Sequence, residues 1–319
     1  MFRHLVSRHR RTTLLSILVL TGLATAQSTA ALAAEPPVSG ARVLAHFDIA
    51  AQQQPENITA EPDGSADLTW LGARQVVRVT PQGKVTVLAT LPAVTSGIAW
   101  AEGIVRAPDG TLYVNYNAGP ASGIYRIGHN GGTPVKVVAL PGVAFPNGLA
   151  LDPRSGALFV TDSATGTVWR AWPRTGKAEL WATDPLLLPG TGPDAQGYGA
   201  NGVKVRNGAV WIGNSDRGTL LHIPVGPHGE AGQVTVAAQV KSIDDFAFTG
   251  HGDTVLAAQS NLDRLALVTP GGTAQTVLTA EDGLSTPTSV AVSGQLVYVT
   301  SAAYNSGVDP NVVLGRLSR

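Results

Sequence analysis

Six times along the chain a polar residue starts a short apolar strand, at Glu56, Glu102, Asn147, Asn201, Asp244 and Thr288. The spacings of 46, 45, 54, 43 and 44 residues match the roughly 40–50 residues of one four-stranded propeller blade. Each unit reads alike. The third, Phe145 to Ser163, runs from Asn147-Gly148 through the strand Leu149–Leu151 and a turn at Ser155-Gly156. It returns along Ala157–Thr161 to Asp162. The other inner strands fall at 58–60, 104–106, 203–205, 246–248 and 290–292, each followed by a Gly, Asn or Asp turn and a second strand. Such turn chemistry suits tight hairpins. The predicted fold is therefore all-β, a six-bladed β-propeller.

The sixth unit lacks a fourth strand because the chain ends shortly after Leu317. An unpaired sheet edge there invites aggregation. Residues 42–48, Arg-Val-Leu-Ala-His-Phe-Asp, resemble the fourth-strand segments, so this amino-terminal strand is predicted to complete the last blade. The domain reading is a leader over 1–33, a linker over 34–41 and one propeller over 42–319. In the leader, Arg3, Arg8, Arg10 and Arg11 precede the apolar run Leu14–Ala24 and the small-residue site Ala31-Leu32-Ala33, the pattern of a secretory signal peptide. The run is too short for a membrane-spanning helix, which takes roughly 20 residues. The expected location is secreted, by the general or the twin-arginine route.

Loss of the leader removes four arginines and no acids, leaving 18 basic against 22 acidic residues. That mild acidity disfavours nucleic acid and anionic membrane as the main partner; the partner expected is a small-molecule substrate or, for a non-catalytic propeller, a bound ligand or protein. The chain has no cysteine, which excludes thiol nucleophiles, thiolate zinc sites and disulfide reinforcement. There is no Gly-x-Ser-x-Gly elbow and no histidine at a blade start, against a Ser-His-Asp hydrolase. The histidines at 46, 129, 222, 228 and 251 fall in turns or outer strands.

In a propeller the six blade-start residues converge on the central channel at one face. Five are strong oxygen donors. Carboxylates and amide oxygens crowded together repel unless a hard cation sits among them, and Ca²⁺ takes six to eight such ligands; another divalent cation is the alternative. Each blade-start residue taken singly also suits plain turn geometry. The residues that come next vary: Gly follows three of the six, but Asn57 follows Glu56 and Asp245 follows Asp244, so Asp245 is either an added ligand or a disturbance. Glu102 is read as a blade-start acid bonded to nearby backbone, with a site role as the alternative. Asn115, Asp162, Asn214, Gln259 and Ser301 are placed at the second-strand ends, where they either cap their own turns or support the site. Trp70, Trp100 and Trp211 are candidates for a pocket wall or for inter-blade packing. The Pro- and Gly-rich segment 184–199 is expected on the same face as the blade starts, as a wall, lid or surface insertion, with Leu186 to Leu188 and Tyr198 as its apolar contacts.

The ordered set Glu, Asn, Asn, Asp in the first, third, fourth and fifth units resembles the calcium-dependent six-bladed propellers that include gluconolactonase and regucalcin (senescence marker protein), relatives of diisopropyl-fluorophosphatase and the paraoxonases. The resemblance covers the whole mature chain. It implies that Glu56, Asn147, Asn201 and Asp244 hold a catalytic calcium and that Asp244 is the base or nucleophile, with lactone or ester hydrolysis as the expected reaction. A non-catalytic binding propeller and a propeller lyase or synthase are the competing expectations, since fold does not fix chemistry.

Overall fold

In the computed structural model, which describes Met1 and residues 37–318, six four-stranded antiparallel sheets stand around a central axis. The leader expected over 1–33 lies outside the described residues, apart from Met1. No helix among the described residues is long and apolar enough to cross a membrane.

The innermost strands of blades 1 to 6 are Pro55–Ala60, Trp100–Arg106, Pro146–Leu151, Ala200–Arg206, Ile243–Phe248 and Pro287–Ser293. The first five blades run outward in chain order. In the sixth, Asn311–Leu317 is flanked by Leu296–Ser301 and by the amino-terminal strand Val38–His46, which closes the ring as predicted. That strand begins at Val38, inside the segment expected to be linker. Its pairing with Asn311–Leu317 gives the last blade the same four strands as the others, with Val38–His46 outermost.

One apolar cluster fills each interface between neighbouring blades. Between blades 3 and 4, for example, Phe159 and Val168 meet Val203, Val210, Ile212 and Leu221, all at most 1 % exposed. Trp70 and Trp211 belong to such interfaces: Trp70 packs edge-on to Phe47 at 5.2 Å, and Trp211 to Phe248 at 5.5 Å.

The inner strands share one irregularity. In every blade the pairing of first and second strands slips across the blade-start residue: between Pro55 and Ile58, Ala101 and Ile104, Pro146 and Leu149, Ala200 and Val203, Ile243 and Phe246, and Pro287 and Ser289. Each slip adds one residue to the inner strand, a β-bulge that re-aims the blade-start side chain. The glycines that follow three of these residues have negative φ; a turn is not what they serve. A Cβ on Gly103 would lie 2.4 Å from the Asn147 carbonyl oxygen, and one on Gly148 2.4 Å from that of Asn201. Their missing side chains let each bulge rest on the backbone at the start of the next blade.

Side chains from the second strands then clasp the following blade. Thr69 accepts the Asn57 N–H (3.1 Å) and donates to the Glu102 carbonyl (2.8 Å). Thr161 accepts the Gly148 N–H (2.9 Å) and donates to the Asn201 carbonyl. Asn115 donates to the carbonyls of Asn147 and Gly148 at 2.9 and 3.0 Å, and Thr288 closes the circle onto the Pro55 carbonyl at 3.1 Å. The pairing register aligns Asn115 with Thr161 and Thr69, one position before Asp162 and Asn214.

Candidate functional site: an acidic cavity at the bulged face

Because each bulge turns its blade-start side chain away from the ladder, Glu56, Glu102, Asn147, Asn201 and Asp244 all line one cavity of about 1270 Å³ at the channel mouth. Glu56, Glu102, Asn147 and Asn201 are buried by their neighbours; Asp244 is partly open to the cavity. Thr288 is spent on its bonds to Pro55 and Thr300.

The charge balance at this spot is one-sided. Among the described residues no lysine or arginine bonds to Glu56, Glu102 or Asp244. Burial raises the Glu56 carboxyl to about 7; the Tyr304 hydroxyl, donating to Oε2 at 2.6 Å, opposes this, and the charge of Asp245 adds to it. Burial also holds Glu102 well above the usual carboxylate range, helped by the charges of Glu56 and Asp244. Asp244 is raised likewise by burial and then by Glu56 and Asp245, with the Asn201 amide pulling the other way. Glu102 carries a buried Oε1 with no hydrogen-bond partner, so the expectation that it bonds to nearby backbone does not hold for that oxygen.

An acid whose folded-state pKa lies above its unfolded value contributes stability at low pH and loses it as pH rises through the folded value. The calcium-free protein should therefore lose stability between about pH 4.5 and 7, by on the order of 3 kcal/mol from Glu56 alone. Denaturant midpoints across that range check this; a midpoint that rises with pH would contradict it.

These residues fit a hard divalent cation. The cavity offers carboxylate and amide oxygens and is lined by no histidine, the donor chemistry of Ca²⁺. Among the described residues no three His, Cys, Asp or Glu side chains stand close enough to hold a metal by themselves. Glu56 and Asp244 would need the amides of Asn147 and Asn201 to complete the set. Asn201 donates Nδ2–H to Ser215 Oγ at 2.9 Å, which leaves its amide oxygen for the cavity.

Three other candidates do not line the cavity. Asp245 turns to the layer beneath, where both its oxygens accept from Lys204 Nζ at 2.6 and 2.7 Å and Oδ2 also accepts from Ser289 (2.6 Å) and Asn57 (3.1 Å). It is thus neither an added ligand nor a disturbance. Asp162 accepts the backbone N–H groups of Ala144, Phe145, Ala164 and Thr165, and Asn214 donates to the carbonyls of Leu186 and Leu188. Both shape loops. Of the other second-strand ends, Gln259 lines the cavity, while Ser301 Oγ accepts the Ser285 N–H.

The segment 184–199 is a wall. Leu187 is fully buried between blades and Leu188 is exposed, whereas Pro193 to Gln196 and Tyr198 line the cavity. Asp216 clasps it, accepting the N–H groups of Gly190, Gln196, Gly197 and Tyr198 at 2.9–3.2 Å. Trp100 stands 5.9 Å from Phe145, which stands 5.8 Å from Tyr198, so three rings form one side of the cavity. Nothing in the sequence singles out Asp216 or Tyr304: each sits in a polar loop where Asx and aromatic residues are unremarkable, and neither occupies a repeat position.

Solved structures with the same fold include the calcium-binding protein regucalcin from Agrobacterium tumefaciens, 15% identical over 89% of this chain and 96% of that one with a TM-score of 0.66. A gluconolactonase-like protein is 16% identical over 86% and 91%, TM-score 0.63. Virginiamycin B lyase from Staphylococcus aureus, solved in catalytically inactive form with quinupristin, is 15% identical over 83% and 81%, TM-score 0.57. Most such neighbours are enzymes; at these identities they show the shared propeller fold. No curated protein matches the sequence. A family model described as a repeat of unknown function, DUF6923, matches residues 64–245, more than half of the chain, and the protein belongs to that family.

Proposed function

We propose that this protein is a secreted, calcium-dependent hydrolase of lactones or related esters, akin to the gluconolactonase and regucalcin group and working at the bulged face of the propeller. The observation that carries this reading is the meeting of Glu56, Asn147, Asn201 and Asp244 in one cavity, with no cationic side chain on its carboxylates among the described residues. Glu56 and Asp244 would hold the calcium, or another hard divalent cation, together with the two amide oxygens. When bound, the cation polarises the substrate carbonyl and acidifies water.

Asp244 is the base or the nucleophile. As base it takes a proton from water while the water oxygen bonds to the carbonyl carbon; the ester C–O bond then breaks and the leaving alkoxide takes up the proton. A lactone yields its open hydroxy acid. Tyr304 fixes one oxygen of Glu56, and the 184–199 segment forms one wall of the cavity.

Excess chelator should abolish hydrolysis across a panel of lactones and aryl esters, and added calcium should restore it. Full turnover in chelator would overturn the metal mechanism.

A further inference from the structure

A second ring of side chains stands two residues before each blade-start position. Around the channel it reads Gln54, Trp100, Phe145, Gly199, Ser242 and Thr286. All but Gly199 line the cavity. In blade 4, where a Cβ on Gly199 would strike the Leu187 carbonyl oxygen at 2.4 Å, Tyr198 from the inserted wall stands in its place against Phe145. The ring is therefore divided: blades 2 to 4 present three aromatic rings, and blades 5, 6 and 1 present hydroxyls and an amide. Gln259, Asn261 and Asn305 extend the polar half.

The aromatic half is held open. Trp100 and Phe145 are only half-buried and Tyr198 is 37% exposed, although such rings normally bury against one another. The Asp216 clasp on four backbone N–H groups fixes Tyr198 at this distance. Edge-on and tilted contacts at 5.9 and 5.8 Å leave room for a further ring to join the group by the same geometry. A cavity of about 1270 Å³ also exceeds what a single small lactone ring fills, given that pockets for drug-sized ligands run to about 1,000 Å³.

Building on the hydrolase reading, we infer that the substrate is an aryl lactone or aryl ester, its aromatic ring seated among Trp100, Phe145 and Tyr198 and its reacting carbonyl over the ring of blade-start oxygens. Trp100, Phe145 and Tyr198 determine specificity; the hydroxyl and amide half accepts the polar end.

Lactam analogues, which resist hydrolysis, separate this inference from the catalytic one. By calorimetry on the full calcium-loaded protein, 3,4-dihydro-2-quinolinone should bind at least about tenfold more tightly than δ-valerolactam, and Tyr198→Ala and Phe145→Ala should each bring that ratio towards one. Tyr198 lies on a surface loop, so its replacement tests the wall even where Phe145→Ala impairs folding. Equal affinity for the two lactams, no binding of either, or an unchanged ratio in Tyr198→Ala would overturn the aryl subsite. Selective lactam binding without any hydrolysis of dihydrocoumarin would retain the subsite and remove the hydrolase reading.

Discussion

Asp244→Asn is expected to lower kcat/KM for lactone hydrolysis by about 10²–10⁴-fold, the usual scale for loss of a positioned general base, while the propeller remains folded. The replacement keeps an oxygen for the cation and removes the proton acceptor. It should also make the calcium-free protein more stable, because Asp244 is a desolvated acid facing the charges of Glu56 and Asp245. Activity and stability thus move in opposite directions, as expected where a fold carries an unfavourable arrangement for its chemistry. Turnover equal to wild type would remove Asp244 from its role.

Lys204→Met should cost about 3–5 kcal/mol of stability, the range for removing one partner of a buried ion pair. Lys204 is the cation held by Asp245, whose side chain is 2% exposed; without it that carboxylate retains only the hydroxyl of Ser289 and the amide of Asn57. Replacing the aspartate as well, in Lys204→Met with Asp245→Asn, should recover most of the loss, since no orphaned charge then remains. Urea unfolding of both variants tests this. A single-variant loss below about 1 kcal/mol, or no recovery in the pair, would show that the contact contributes little.

Much of the architecture was legible because blade length and turn chemistry repeat. The blade starts could be aligned from Glu56 to Thr288, and the segment around residues 42–48 could be matched to the missing strand, because outer strands share an apolar pattern that the closing blade must supply. What the pattern hid was the bulge. An inserted residue leaves no mark in the sequence when hydrophobic and polar positions still alternate on either side, so the glycines at 103 and 148 read as turn formers. They are places where neighbouring backbones nearly touch. The one-position offset between Asn115 and Asp162 has a separate origin: all blades share the bulge, but the second pairs one residue further towards the mouth, through Trp100 and Asn117, and spacing from the strand end then misplaces Asn115.

The site was legible in part. Glu56, Asn147, Asn201 and Asp244 follow from their places at the blade starts, because the propeller axis gathers whatever occupies them. Asp245 did not, since the partner that defines it, Lys204, lies in another blade and 41 residues away. Tyr304 and Asp216 depend on loop conformations outside the repeat. The division of the upper ring into aromatic and polar halves could be read only once the blade starts were fixed in register around the channel.

The most direct test is a crystal structure of the protein grown with calcium. One cation is expected at the channel mouth, with oxygens of Glu56, Asn147, Asn201 and Asp244 at about 2.3–2.6 Å. A channel mouth that takes no cation at millimolar calcium, or calcium bound elsewhere with these four side chains turned apart, would contradict the calcium-centred site.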